Sequence, residues 1–228
     1  MHALFVYAHP EPTSFTGALK NVGVAALKDA GHTVEVSDLY AEKFDPVAGR
    51  HDFTTVANPA RFHYQTEQAH AQETHGFAPD LAREQQRFLK ADLVVWLYPI
   101  WWGGMPAILK GWFDRVLAFG FAYADGRRFD SGFFPDKRGL LCLSTGGTQQ
   151  RFSDEGVYGD IHKVLWPSQR LMIEYLGMNA LEPFVAYGAP RVDAEGRAAY
   201  LAQWRERLQD IAHDAARAVP AGVRNASQ

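Results

Sequence analysis

The sequence predicts an α/β fold, a doubly wound sheet of five parallel strands with helices on both faces. Short apolar runs and amphipathic helical stretches alternate from one end of the chain to the other. Residues 3–7 and 93–97 are uninterrupted apolar runs, as expected of strands buried on both faces. The chain has 228 residues, 47% of them hydrophobic, which fits one domain with a substantial core.

The remaining elements follow from local patterns. The first predicted helix spans residues 15–30, with Leu19 and Leu27 on one face and Gly31 as its stop signal. Pro106 suits the beginning of a helix, whereas Pro167 predicts a break or kink. The other predicted elements are strands 33–36, 139–144 and 179–186 and helices 81–89, 106–119, 157–176 and 194–218.

One stretch departs from this regular alternation. Residues 42–78 are rich in His, Gln, Asn and Pro and predict an insertion packed over the surface, with one short helix. We expect a single domain over residues 1–219 and a disordered tail over 220–228.

Composition and charge exclude several classes of protein. A net charge of −3 without a Lys/Arg block argues against nucleic acid as a partner. The single Cys142 forbids an intrachain disulfide and fits a reducing, cytoplasmic location. No stretch approaches the ~20 apolar residues of a membrane span, so we expect no membrane insertion. His63, His70 and His75 lack metal-ligand spacing, and we expect no metal site.

Ligands of open α/β sheets bind at the carboxyl ends of the strands, so the segments after strands one, three and four deserve inspection. After strand one, Thr13, Ser14 and Thr16 form a hydroxyl-rich turn that leads into a helix. These hydroxyls and the free amides of the helix start suit a phosphate. Ordinary helix capping by Thr13 or Ser14 is the alternative.

The segment after strand three places Trp101 and Trp102 beside Gly103 and Gly104. Paired glycines let a flat ring approach the backbone, and tryptophan can stack beside it. A subunit interface or a set of core aromatic residues is the alternative.

The segment after strand four contains Thr145, Gly146 and Gly147. The two glycine amides are suited to donate to the edge of a flat ligand and to stabilise negative charge on it. A plain strand-to-loop turn is the alternative. Three such loops at neighbouring strand ends together favour a ligand site.

Residues 106–116, PAILKGWFDRV, closely resemble a block of the NAD(P)H:quinone reductases, also called DT-diaphorases. Further similar pieces follow in order along nearly the whole chain, among them AHPEPTSF, ADLVVWLYP, STGG and GDIHKVLWPSQ. The resemblance implies a flavodoxin-like fold and the shorter form of the family, without an extra C-terminal domain. It also implies a homodimer.

The same resemblance implies bound FAD rather than FMN, with NAD(P)H as co-substrate. It assigns the pyrophosphate to His9, Ser14, Phe15 and Thr16. It assigns the isoalloxazine to Pro99, Ile100, Trp101, Trp102, Gly103, Thr145, Gly146 and Gly147, with His63 and Arg197 as outer contacts. It assigns the substrate pocket to Trp102, Tyr123 and, from the other subunit, Tyr175.

The implied reaction is ping-pong hydride transfer from NAD(P)H through FAD to a quinone or similar acceptor. Two positions of the family's proton relay are Phe152 and Tyr158 here. A phenol is a poor base at neutral pH, so we expect Tyr158 to act as a hydrogen-bond donor, beside the amides of Gly146 and Gly147. A regulatory flavoprotein subunit of a potassium-efflux system is the alternative. The insertion and the PAILKGWF block favour the enzyme.

Overall fold

A parallel β-sheet forms the centre of the molecule. The computed structural model describes residues 1–218, so the predicted tail 220–228 lies outside the described residues. The strands are β1 His2–Tyr7, β2 Thr33–Asp38, β3 Leu93–Pro99, β4 Arg138–Ser144, β5 Asn179–Ala180 and β6 Phe184–Ala186. They pair in the order β2-β1-β3-β4-β5, and β6 also pairs with β4. The α-helices are α1 Phe15–Asp29, α2 Tyr64–Thr74, α3 Pro79–Lys90, α4 Ala107–Val116, α5 Ile161–Ser168 and α6 Ala194–Ala218.

Helices cover both faces of the sheet, as the sequence predicts. Alternate residues of β1 point to opposite sides: Leu4 packs in one buried cluster and Phe5 in the other. The Leu4 side includes Trp112 of α4, and the Phe5 side includes Trp204 of α6. The central strands are therefore buried on both faces, which is why they appear in the sequence as continuous apolar runs.

The fifth position of the sheet differs from the single strand predicted over residues 179–186. Two short pieces, β5 and β6, pair with β4 one after the other. Pro183 lies between them and has no amide proton to donate to a strand ladder. The interruption follows from that missing donor.

The helix predicted over residues 157–176 is also more complex. It begins at Ile161, because the Asp160 side chain accepts from the amides of His162 and Lys163 and caps the first turn. Pro167 is the second-last residue of α5, which ends at Ser168, so the regular α-helix breaks beside the proline as predicted. A π-helical turn over Gln169–Ile173 and a 3₁₀ turn over Glu174–Leu176 continue the segment. A wider turn after a proline accommodates the lost hydrogen bond.

The insertion is joined to the domain by buried polar contacts. Asp52, within residues 42–78, forms an ion pair with Arg115 of α4, with Nη2 and Oδ1 2.7 Å apart. The buried Glu67 of α2 accepts from the amides of Ala57 and Asn58 at 2.8 and 3.3 Å. Asp52 therefore joins the insertion to α4, whereas Glu67 holds the segment before α2 against that helix. Helix α2 is the short helix that the sequence predicts.

Within residues 1–218, no helix is both long enough and apolar enough to cross a membrane.

Candidate active site

Two cavities adjoin at the carboxyl ends of β1, β3 and β4. The large cavity, about 890 Å³, lies between the start of α1, the loops after β3 and β4, and α6. The small cavity, about 540 Å³, lies between the loops after β3 and β4 and the start of α5. Ile100, Thr145 and Gly146 line both, so the two cavities form one continuous groove.

The start of α1 opens into the large cavity. The Ser14 hydroxyl accepts from the Gly17 amide at 3.1 Å, so its own proton stays free to donate. Phe15 and Thr16 are the first two residues of the helix, where amides have no partner within the helix. No acidic side chain stands in this first turn. Ser14 thus caps the helix, while its hydroxyl proton and the amides of Phe15 and Thr16 remain available to an anion.

The two threonines of the turn are placed differently. Thr13 donates its hydroxyl proton to the Glu11 carboxylate at 2.6 Å, and its amide donates there as well. These hydrogen bonds hold the pKa of Glu11 below its ordinary value. Thr16 is buried and its hydroxyl lies 3.0 Å from that of Ser144. Thr16 therefore joins the start of α1 to the end of β4, whereas Thr13 has no proton left for a ligand.

A tight turn carries the two exposed tryptophans. The amides of Trp101 and Gly104 each donate to the other residue's carbonyl, at 2.9 and 3.0 Å. Trp102 and Gly103 both have positive φ, 51° and 72°, which defines a type I′ turn. Trp102 is fully exposed and Trp101 is 43% exposed. Because neither ring is in the core, the core-aromatic interpretation of this motif is excluded.

The adjacent glycines Gly146 and Gly147 differ in the space that surrounds them. A Cβ at Gly147 would lie 2.9 Å from ring carbons of Phe152 and Tyr158, so packing within the protein excludes a side chain there. At Gly146 the nearest atom would be Nη1 of Arg191 at 3.9 Å, and its φ is not positive. Neither backbone nor packing demands glycine at 146, so the backbone there is open toward the wall that the two cavities share. Among residues 1–218, neither amide donates a hydrogen bond.

Tyr158 stands at the far side of the small cavity. Its ring lies 5.0 Å from that of Phe152, and half of its surface is exposed. The Tyr158 hydroxyl accepts from Nη1 of Arg151 at 3.5 Å. Arg191 donates to the Gly146 carbonyl from the loop before α6. Neither arginine was predicted from the sequence, although Arg151 directly precedes the relay position Phe152.

The groove brings together most of the predicted site residues, but three lie elsewhere. Tyr123 and Tyr175 line a separate cavity of about 210 Å³, with their ring centroids 5.7 Å apart. His63 is exposed and caps α2 by accepting from the Thr66 amide at 3.3 Å. The predicted residues that line the groove are His9, Ser14, Phe15, Thr16, Pro99, Ile100, Trp101, Trp102, Gly103, Thr145, Gly146, Gly147, Tyr158 and Arg197.

Similarity to known proteins agrees with this geometry. A family model for the flavodoxin-like fold matches residues 1–208. NAD(P)H dehydrogenase (quinone) 1 of Cavia porcellus is 41% identical over 210 residues, which cover 92% of this chain and 76% of that protein. The chain belongs to the NAD(P)H:quinone reductase family.

Two further members of this family align over almost their whole length. Human ribosyldihydronicotinamide dehydrogenase (quinone) is 43% identical over 209 residues, 91% of this chain and 90% of that protein. The crystal structure of a Klebsiella pneumoniae protein, provisionally named a quinone reductase, superimposes with a TM-score of 0.89. Its identity is 37%, over 92% of this chain and 85% of that one.

Proposed function

We propose that this chain is a flavin-dependent NAD(P)H:quinone reductase. In the net reaction, NAD(P)H gives a hydride and solvent gives a proton, and the quinone becomes a hydroquinone. The observation that carries the proposal is the open space at Gly146, on the wall shared by both cavities, where a flat ring can meet the backbone. The Cavia porcellus relative is named for NAD(P)H and a quinone, and the human relative for ribosyldihydronicotinamide and a quinone.

The donors that line the groove fit FAD. The proton of Ser14 and the amides of Phe15 and Thr16 would hold its pyrophosphate, with His9 beside them. The large cavity continues past this turn to Arg197 on α6, which leaves room for a second nucleotide half and favours FAD over FMN. The residues that would hold the ring system are Pro99, Ile100, Trp101, Trp102, Gly103, Thr145, Gly146 and Gly147. When bound, FAD supplies the two-electron redox chemistry that no side chain offers.

The chain's own residues orient the substrates. Trp102 offers an exposed ring for stacking at the mouth of the small cavity. Tyr158, whose oxygen accepts from Arg151, keeps its proton for a carbonyl oxygen of the quinone. The amides of Gly146 and Gly147 face developing negative charge. Because one cavity serves both flat substrates, NAD(P)H and the quinone bind in turn, in a ping-pong sequence.

A homodimer would complete the substrate pocket. Tyr123 and Tyr175 contact each other, so a second copy that contributes Tyr175 also contributes Tyr123. Exposed apolar side chains near the groove support such an interface: Trp101, Trp102, Val157 and Trp166 are all more than 40% exposed. His63, exposed at the start of α2, does not line the groove of its own chain, so a contact with the cofactor would fit a second copy.

Purified protein tests the proposal directly. We expect a yellow protein that releases FAD on denaturation, identified by mass, and that oxidises NADH in the presence of menadione without a partner protein. A colourless protein that takes up no flavin on incubation with FAD would contradict the cofactor assignment. A regulatory flavoprotein subunit would instead hold flavin and leave menadione unreduced.

A further inference from the structure

The small cavity has charge of one sign only. Among the residues that line it, Arg151 and Arg191 are positively charged, and none is Asp or Glu. The two arginines come from different segments, the 3₁₀ turn after β4 and the loop before α6. They are 40 positions apart in the sequence, so the folded chain alone brings them to one cavity.

Neither charge is neutralised within residues 1–218. Arg151 donates to the hydroxyl of Tyr158, and Arg191 donates to the carbonyl of Gly146; both acceptors are uncharged. Of the nearby carboxylates, Asp154 pairs with Lys163 at 2.6 Å, Asp160 caps α5 and Asp193 accepts from the Gly196 amide. Glu155 forms no ion pair with either arginine among the described residues. The cavity therefore presents a net positive field to whatever enters it.

Both guanidiniums keep further N–H groups for a ligand. Each has five N–H donors, of which these contacts use one. Both arginine side chains are exposed at the rim of the small cavity. They can therefore contact an anionic group at the edge of a ring while that ring stacks on Trp102. A planar guanidinium can donate two parallel hydrogen bonds to the oxygens of a carboxylate, sulfonate or phosphate.

We propose that Arg151 and Arg191 make the small cavity favour a flat-ring substrate that carries an anionic group over a neutral substrate of the same kind. This inference rests on the proposed function and specifies its substrate class. The anion belongs either to the acceptor, as a carboxylate or sulfonate on a quinone, or to the donor, as the phosphates of the nicotinamide nucleotide. A purely structural role, in which Arg151 positions Tyr158 and Arg191 caps Gly146, would affect charged and neutral substrates alike.

Two kinetic arms distinguish the sources of the anion. In the acceptor arm, NADH is held constant, and kcat/KM for 1,2-naphthoquinone-4-sulfonate is divided by kcat/KM for menadione. In the donor arm, menadione is held constant, and kcat/KM for NADH is divided by that for the neutral 1-methyl-1,4-dihydronicotinamide. We expect Arg151→Met and Arg191→Met each to lower one of these ratios by about threefold to tenfold.

Lys28→Met is the matched control, because it also removes one exposed positive charge. It lies near the end of α1, about 20 Å along the helix from the residues at the groove. Its two ratios should equal those of the unaltered protein. If it lowers them as far as the arginine variants do, net charge and not the cavity is responsible, and the inference is overturned.

A binding measurement on the unaltered protein avoids dependence on variants that fold poorly. Calorimetry with anthraquinone-2-sulfonate should show a Kd that rises by at least threefold from low to high salt, because exposed charges are screened. Unchanged ratios in both arms, or binding that is insensitive to salt, overturn the inference. Failure to reduce any quinone overturns the proposed function instead, and the calorimetry still decides the role of the arginines.

Discussion

Arg115 of α4 and Asp52 of the insertion form an ion pair in which both side chains are buried. Nη2 and Nε of Arg115 lie 2.7 and 2.9 Å from the same carboxylate oxygen. The hydroxyl of Tyr64 donates to the other oxygen. Burial and the bond to Asp52 raise the pKa of Tyr64 well above its ordinary value, so it remains a neutral donor.

Removing one partner of this pair should cost more stability than removing both. Arg115→Met leaves the buried carboxylate with only the half-exposed His51 imidazole, 3.3 Å from its Oδ1. We expect the free energy of unfolding to fall by about 3–5 kcal/mol in urea titrations. Arg115→Met combined with Asp52→Leu should recover part of that loss. Lys110→Met, which breaks the exposed pair with Asp114, should cost less than about 1 kcal/mol. A double variant no more stable than Arg115→Met would argue against this account.

The adjacent glycines offer a matched pair of alanine variants. Gly147→Ala pushes a methyl group against Phe152 and Tyr158, and should destabilise the fold by about 1–3 kcal/mol. Gly146→Ala meets open space, so its stability should change by less than about 0.5 kcal/mol. The same methyl group should weaken FAD binding by about tenfold in fluorescence titrations, through overpacking against the ligand. Equal FAD affinity in Gly146→Ala and the unaltered protein would remove the main support for the proposed ring site.

Tyr158→Phe removes one hydroxyl proton and keeps the ring against Phe152. We expect turnover with menadione to fall by about tenfold, the low side of a single acid–base contribution, with unchanged flavin content. Stopped-flow measurements separate the NADH half-reaction from the quinone half-reaction. The loss should fall on the quinone half-reaction; if that rate is unchanged, Tyr158 serves packing only.

Glu67 makes stability depend on pH. The amides of Ala57 and Asn58 donate to its carboxylate and hold its pKa below the ordinary value. A carboxyl whose pKa is lower in the folded state stabilises the fold at pH values above its pKa in the unfolded chain, about 4.3. This stabilisation is lost as the pH falls through the pKa of the folded state.

Glu67→Gln should therefore melt below the unaltered protein at pH 7, and the difference in Tm should shrink below about pH 4. Glu73→Gln, at an exposed position on the same helix, is the control and should leave the melting curve nearly unchanged at every pH. If the difference in Tm between Glu67→Gln and the unaltered protein is as large at pH 3 as at pH 7, the cause is packing and not the charge of Glu67.

Static light scattering tests the proposed homodimer. The exposed Trp102 and Trp166 and the joint placement of Tyr123 and Tyr175 away from the groove predict a mass of two chains at micromolar concentration. Tyr175→Ala should then raise the KM for menadione although Tyr175 does not line the groove of its own chain. A monomer under these conditions would contradict the interface.

The sheet was predictable because its central strands are buried on both faces. The runs at residues 3–7 and 93–97 contain no polar residue that would leave their assignment open. The break in the fifth strand was not predicted, because the prediction rested on hydrophobicity. Pro183 interrupts the strand because it has no amide proton for the hydrogen-bond ladder. The buried Asp52 was not foreseen either, since a carboxylate in a polar stretch is typical of the surface.

The candidate site was predictable in part, for a related reason. Trp102, Gly146 and their neighbours lie in short segments at strand ends, so local composition identifies them. Arg151 and Arg191 enter the same cavity through tertiary structure, and no local pattern links them. Tyr123 and Tyr175 pair with each other away from the groove, an arrangement that only the folded chain reveals.

The anchored insertion has a practical consequence for protein engineering. Long connecting segments are the usual places for epitope tags, affinity peptides or grafted domains, because foreign residues there rarely disturb the rest of a protein. Residues 42–78 are a poor choice for such grafts, since additions near Asp52 or Glu67 would pull buried carboxylates away from their partners. The exposed turn at Gly31, at the end of α1 and away from the groove, is the better attachment point, provided that the glycine itself, with a φ of 81°, is kept.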